Sequence, residues 1–322
     1  MGVFRMYRPE IKILDCTIRD GGLMNNWEFD KSMVKDVFQG LVEAGVDYVE
    51  LGYRADKKEF SPKDHGPWRF CDEEDLRDVA YECDTKISVM VDVGRTDYNS
   101  ILPKDQSIVS MFRVATYAKE VDKAIHLGKF IKDQGYEVCI NIMAASHILE
   151  PDLDEALAEL AKTDFEAVYL VDSFGYFYSE QIHYLADKYI SGLNGKTVGI
   201  HCHNNQQLAF ANTIEGIIKG INMVDGSIYG MGRAAGNCTT ELLLGFLKNP
   251  KYDVRPVLVL IEKYFEKLMK ELKWGYEMPY MISGILNKHP KASLAYMQEG
   301  SPMREKGIVA YYNDQVGVED ID

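Results

Sequence analysis

The 322-residue chain has no basic excess: 36 Lys and Arg stand against 50 Asp and Glu, a formal charge of -14. A general binder of nucleic acid or of anionic membranes concentrates positive charge on one face, so neither partner is expected, and any anionic ligand must be held by local cations. No run of 18 apolar residues occurs, and the opening MGVFRMYRPEIKIL lacks a continuous apolar segment; neither membrane spanning nor secretion is expected. The six cysteines form no CxxC and no compact framework. That pattern points to reduced thiols in the cytoplasm rather than to disulfides or a zinc-finger site.

With 46% apolar and 27% charged residues, the composition is that of a globular protein with a large core. Short runs rich in Val, Ile and Tyr alternate with amphipathic stretches, the order of parallel strands joined by helical crossovers. The predicted strands are Ile11 to Asp15, Tyr48 to Leu51, Ile87 to Asp92, Ile108 to Arg113, Glu137 to Ile142, Ala167 to Asp172, Thr197 to His201 and Met223 to Ile228. The first crossover starts at Asp30, spaces Met33, Val34, Val37, Phe38, Leu41 and Val42 helically, and stops at Gly45, a complete helix signal.

Eight such units in about 240 residues predict an α/β fold, the (β/α)8 TIM barrel, whose active site lies at the C-terminal strand ends. Polar residues gather there: Arg19 and Asp20 after strand 1, then Glu50, Asp92, Asp172, His201 and His203. The polar, Pro-containing stretch Arg54 to Arg69 is long for a strand-to-helix loop and is either a cover for the barrel mouth or a solvated insertion. Residues 1–250 are expected to form the barrel. Residues 251–322 are expected to form a helical C-terminal extension, with one long helix from Val254 to Leu272 and a short one near Tyr280 to Leu286. Its amphipathic face suits the barrel or a homodimer partner.

His201-Cys202-His203 is the sharpest local feature. Alternation along a strand points both imidazoles the same way, which is a metal-ligand spacing, and turns Cys202 away. Asp20 on the same rim completes an Asp-His-His set suited to a catalytic divalent ion, Mn2+ first, with Mg2+ or Co2+ as alternatives. The segment LDCTIRDGG (14–22) runs from a strand into a charged turn, where either paired glycines permit a ligand to approach the backbone or the turn is purely structural with Arg19 and Asp20 a surface ion pair.

LDCTIRDGG, VELGY (49–53), HCHNN (201–205) and DGSIYGMGRAAGNCTTE (225–241) together resemble the DRE-TIM metallolyase superfamily, the pyruvate-carboxyltransferase-like and HMG-CoA lyase-like barrels, over roughly residues 8 to 250. The resemblance is nearest to the 4-hydroxy-2-oxo acid aldolases. It implies that Asp20, His201 and His203 bind the metal, that Asn237 approaches or completes that set, and that Arg19 binds the substrate carbonyl oxygen and steadies an enolate. Glu50 matches an acidic residue on the pocket floor; a structural carboxylate is the alternative reading.

Leu23 stands where those aldolases carry a catalytic His, so the base must come from elsewhere: hydroxide on the metal, His65 in the long loop, or Tyr280. Tyr280, with Tyr276 second, lies in WGYEMPYMISGILNKH (274–289), which resembles the stretch that carries an active-site Tyr in those aldolases. His126 and His183 read as surface or packing residues, His147 as a loop residue and Cys238 as a buried thiol. The expected activity is metal-dependent aldol cleavage or formation of a carbon-carbon bond next to a 2-oxo acid, with an aldehyde partner. A Claisen-type acyl-CoA carboxyltransferase and a non-catalytic binding barrel are the alternatives.

Overall fold

The computed structural model describes residues 8–317. Eight strands, β1 (Lys12–Asp15), β2 (Tyr48–Tyr53), β3 (Lys86–Asp92), β4 (Met111–Thr116), β5 (Glu137–Ile142), β6 (Ala167–Asp172), β7 (Thr197–Cys202) and β8 (Met223–Gly226), pair in chain order, all parallel. β8 closes onto β1. The expected (β/α)8 barrel is the fold. Strand alternation sends one set of side chains outward under the helices and the other into the lumen. In the lumen, Leu14, Tyr48, Met111, Cys139, Tyr169 and Met223 form an apolar layer, and polar residues lie above it towards the C-terminal strand ends.

Helices α1 (Thr17–Asn25), α2 (Lys31–Glu43), α3 (Glu73–Val79), α4 (Val121–Asp133), α5 (Glu150–Ala161), α6 (Ser179–Gly192), α7 (Ala209–Lys219) and α8 (Thr240–Leu247) fill the connections. Three expectations are corrected here. β4 begins at Met111, not Ile108, because Ile108 N–H and Val109 N–H are taken by the Glu73 carboxylate and the Ser107 hydroxyl instead of a strand ladder. The segment after β1 is the helix α1 rather than a turn, so Arg19 and Asp20 project from its first turns. The glycine pair admits the protein's own side chains, not a ligand: a Cβ on Gly22 would lie 2.0 Å from the Trp27 ring, and one on Gly21 2.8 Å from Met231 Sδ.

The expected helix from Val254 to Leu272 is α9 (Arg255–Leu260) and α10 (Glu266–Leu272), joined through a π-helical stretch, Ile261–Phe265. It packs on α2, where the absence of a side chain at Gly40 makes room for Leu260. Then follow α11 (Met278–Ile285), α12 (Lys291–Met297), α13 (Pro302–Lys306) and α14 (Ile308–Gly317). These helices are tied to the rim loops: Asn205 Nδ2 donates to Tyr280 O and Ser283 Oγ, and Trp274 Nε1 to Tyr229 O. No helix among the described residues is long and apolar enough to cross a membrane.

Candidate active site

Asp20 on α1, His201 on β7 and His203 one residue past its end are all buried, and their ligating atoms lie within 4.8 Å of one another. The two imidazoles meet edge to face with ring centroids 5.1 Å apart. Each ring is fixed by its far nitrogen. His201 Nδ1 donates to Asp225 Oδ2 at 2.9 Å and His203 Nδ1 to the main-chain oxygen of Ser173 at 2.7 Å. Both Nε2 lone pairs are therefore left for the centre, the arrangement by which proteins orient metal-binding histidines.

Burial holds His203 down to about 3, so it is neutral and able to ligate. Burial works against the Asp20 carboxylate, but Arg19, His203 and His201 outweigh it and hold the group well below the usual range. His203 Nε2 stands 3.7 Å from Asp20 Oδ2, too far for a hydrogen bond but a natural spacing for two groups sharing an ion. Asn237 Nδ2 donates to Asp20 Oδ2, while Asn237 Oδ1 is a buried acceptor without a partner. One carboxylate, two imidazoles and an orphaned amide oxygen suit a divalent first-row or Mg2+ ion.

Beneath this group runs a buried ionic chain. Arg19 donates from Nη1 to Asp20 at 2.5 Å and from Nε to Glu50 Oε2 at 2.7 Å. Glu50 Oε2 also accepts from Arg113 Nη1, and Arg113 Nη2 donates to Asp225 at 2.6 Å. The Arg113 guanidinium lies 4.2 Å from the Tyr169 ring centroid. A fully buried arginine is tolerated only with such partners. Glu50 is thus the carboxylate under the pocket that locks two guanidiniums in place; it acts on the site through Arg19.

Above lies a cavity of about 560 Å³ whose wall includes Arg19, Asp20, His201, His203, Trp27 and Tyr53. The long loop after β2 covers its mouth, as one of the two sequence readings expected, bringing Phe60, His65 and Arg69 to the wall. Gly66 enables this closure: a Cβ there would fall 2.0 Å from Trp27 O. The glycine-rich segment after β8 turns over the site, and a Cβ on Gly232 would lie 2.5 Å from Asn237 Nδ2 and 2.9 Å from Asp20 Oδ2.

Residues 10–258 match the HMGL-like family, which spans most of the chain. The chain belongs to the HMGL-like family. This is the superfamily that the four motifs resemble. The 4-hydroxy-2-oxovalerate aldolase of Pelotomaculum thermopropionicum is 34% identical over 256 residues, covering 76% of this chain and 72% of that one. The oxaloacetate decarboxylase of Mycobacterium tuberculosis is 29% identical over 243 residues, 73% of this chain and 69% of that one. Among solved structures, the N-terminal domain of a candidate aldolase from Bacteroides vulgatus superposes with a TM-score of 0.76 at 30% identity, covering 92% of this chain and 100% of that one. The expected class, an aldolase-like carbon-carbon lyase, is the class these relatives carry.

Within this HMGL-like barrel the remaining expected residues separate. Leu23 lines the cavity where a base was expected, and His65 lines it too, its Nδ1 3.2 Å from Ser61 O. Tyr280 does not reach it. It is buried in α11 against Ala234 and Ala235, because the extension docks its helices on the outside of the glycine segment; Tyr276 is exposed. Asp172 accepts the N–H groups of Tyr176 and Phe177 and organises the loop after β6. His147 meets Asn287 O, His183 pairs with Glu215, and Cys238 is a buried thiol pushed up to about 12 by burial. Sequence reasoning assigned no role to Arg113, Asp225, Arg69 or Arg233. Arg113 and Asp225 carried a signal, a charge inside an otherwise apolar strand.

Proposed function

We propose that the protein is a divalent-metal-dependent carbon-carbon lyase that cleaves or forms the bond next to a 2-oxo acid, with a pyruvate-type enolate and an aldehyde as the two fragments. The observation that carries this reading is the convergence of Asp20, His201 and His203, both histidines with Nε2 presented, beside the Arg19 guanidinium. Asp20, His201 and His203, with Asn237 Oδ1, would hold the ion, for which Mn2+ is the first choice. The bound ion supplies Lewis-acid polarisation of the 2-oxo group.

Arg19 is held by Glu50 and Asp20 and presents its remaining N–H edge to the wall, where it stabilises the negative charge that grows on the 2-oxo oxygen as the bond breaks. Because its partners fix it before the reaction, little reorganisation is needed. The 4-hydroxyl proton goes to His65, the wall imidazole from the covering loop. Leu23, Met90, Ala115 and Val171 add apolar wall to the cavity and help exclude water from it. The buried free thiols fit the reducing cytoplasm as the compartment.

The test follows methyl-proton exchange of pyruvate in deuterated water by NMR, using Mn2+-loaded protein. Exchange that needs the metal and is lost in Arg19→Ala is expected. No exchange with pyruvate or other small 2-oxo acids, in protein proven to hold metal, overturns the lyase reading. A thiol assay for coenzyme A release separates it from acyl transfer.

A further inference from the structure

Arg69 departs from the way this protein treats its other buried arginines. Arg19, Arg54 and Arg113 each pair with at least one carboxylate. Arg69 is 5% exposed, yet among the described residues its side chain forms no ion pair, and its Nε, as at Arg54 and Arg113, has no hydrogen-bond partner. It is stacked among three rings, with Phe60, Trp27 and Tyr53 centroids at 4.0, 4.4 and 4.5 Å. Asp92 and Glu59 are the acids that act on it electrostatically; neither closes a salt bridge.

Cation-π contact offsets part of the desolvation of a guanidinium, but it satisfies none of the N–H donors, and unmade hydrogen bonds in a buried charged group are costly. Arg69 also lines the cavity that holds the metal-ligand set. A rigid aromatic cradle that leaves a planar donor fork facing a cavity is a receptor for a carboxylate or phosphate.

A second guanidinium divides the cavity. Arg233 follows Gly232, which packs against Asp20 and Asn237, and lines the cavity with its Nη1 3.4 Å from His289 Nε2, so it stands with the metal group, where the 2-oxo acid carboxylate belongs. Arg69 stands instead at the covering loop, over the Phe60 ring that Arg95 also approaches at 5.9 Å, with Glu59 held on Arg95 at 3.2 Å. We infer that the aldehyde-derived portion of the substrate carries its own anionic group, a carboxylate or a phosphate, and that Arg69 receives it. The placement of the substrate's other end rests on the lyase reading above. An aldehyde fragment ending in a methyl group would displace water from the guanidinium edge that lines the cavity and supply no acceptor in its place.

The experiment measures binding by calorimetry to Mn2+-loaded protein, so it does not depend on turnover. One arm compares 2-oxoadipate with 2-oxohexanoate, which differ by the terminal carboxylate. The other compares 2-oxo-6-phosphooxyhexanoate with 2-oxo-6-hydroxyhexanoate, which lack the 4-hydroxyl and so are not cleaved. A preference of about tenfold or more for the anionic member in either arm is expected, the size of a good charge-assisted contact, and the arm that responds names the group. Arg69→Met fills the aromatic cradle without charge and is expected to abolish the preference while leaving the neutral ligand's affinity unchanged. Arg69→Lys, which keeps the charge and loses the fork, is expected to retain part of it. Equal affinities within both wild-type pairs overturn the inference whether or not the variants fold. So does an equal loss for charged and neutral ligands in Arg69→Met, which would make Arg69 a structural staple. Pyruvate exchange needs no tail, so failure there indicts the lyase reading and not this one.

Discussion

Asp225→Asn isolates the orientation of His201, a proposed metal ligand, from the proposed ligands themselves. Asp225 touches no cavity wall; its Oδ2 accepts His201 Nδ1–H at 2.9 Å and Arg113 Nη2–H at 2.6 Å. The amide keeps the shape but loses the charge, so the imidazole is held less firmly and is a weaker donor to an ion. Loss of such a partner typically costs 10- to 100-fold in metal affinity, about 1.4–2.7 kcal/mol. Arg113 loses one of two carboxylates. Breaking a buried ion pair costs about 3–5 kcal/mol, and because Glu50 stays in place the lower end is expected for folding stability. Competition with a chelating dye gives the Mn2+ affinity, and urea unfolding of metal-free protein gives the stability. His203 is the internal control, since its Nδ1–H goes to the main-chain oxygen of Ser173, which no side-chain substitution removes. Ser173→Ala should therefore bind Mn2+ within about twofold of wild type. Wild-type Mn2+ affinity in Asp225→Asn, in folded protein, would refute the assignment of His201 as a ligand oriented by Asp225.

Glu241, raised from 4.5 to about 7 by burial, holds its proton in the native state where the unfolded chain has released it. Its contribution to stability is full below about pH 4.5 and falls as the pH rises towards 7. Glu241→Gln keeps an acceptor for Tyr229 N–H and should remove that slope, gaining at most about 3 kcal/mol at pH 8 and little at pH 4 in urea melts; parallel pH profiles would contradict it. Gly232→Ala drives a methyl into Asn237 and Asp20 and should cost Mn2+ affinity at least about tenfold while the melting temperature of metal-free protein moves little; unchanged affinity would show that the loop yields. His65→Gln should lower kcat for cleavage of a 4-hydroxy-2-oxo acid by about 100-fold or more with Mn2+ affinity unchanged. An unaltered kcat would remove His65 as the base.

The barrel was legible because its signal is repeated: eight apolar runs, each followed by a helical pattern, leave few other topologies. His201 and His203 were legible as a pair because extended alternation across the end of β7 suffices to set their common direction. Boundaries were lost where side chains took over backbone hydrogen bonds, as Glu73 and Ser107 do before β4. Tyr280 was misplaced because a motif gives spacing along a helix but not the face on which that helix docks. The least legible feature was Arg69, whose cradle comes from three segments: Trp27 after α1, Tyr53 at the end of β2, and Phe60 in the loop. No local pattern joins them.

Charge balance links the buried chain to the choice of substrate. Arg19, Arg113 and Arg233 contribute +3, and Asp20, Glu50 and Asp225 contribute -3, so with imidazoles neutral, as ligands must be, the cluster carries no net charge. A carboxylate brought to that cluster gains little, and the chain's overall -14 does not help. A divalent ion would raise the balance to +2, of which one 2-oxo acid carboxylate neutralises half. Arg19 and Arg113 are committed to holding acids of the protein itself, and the ion provides the excess that attracts the substrate. Binding of a 2-oxo acid should then depend steeply on metal, because the metal-free cluster offers the anion no net attraction.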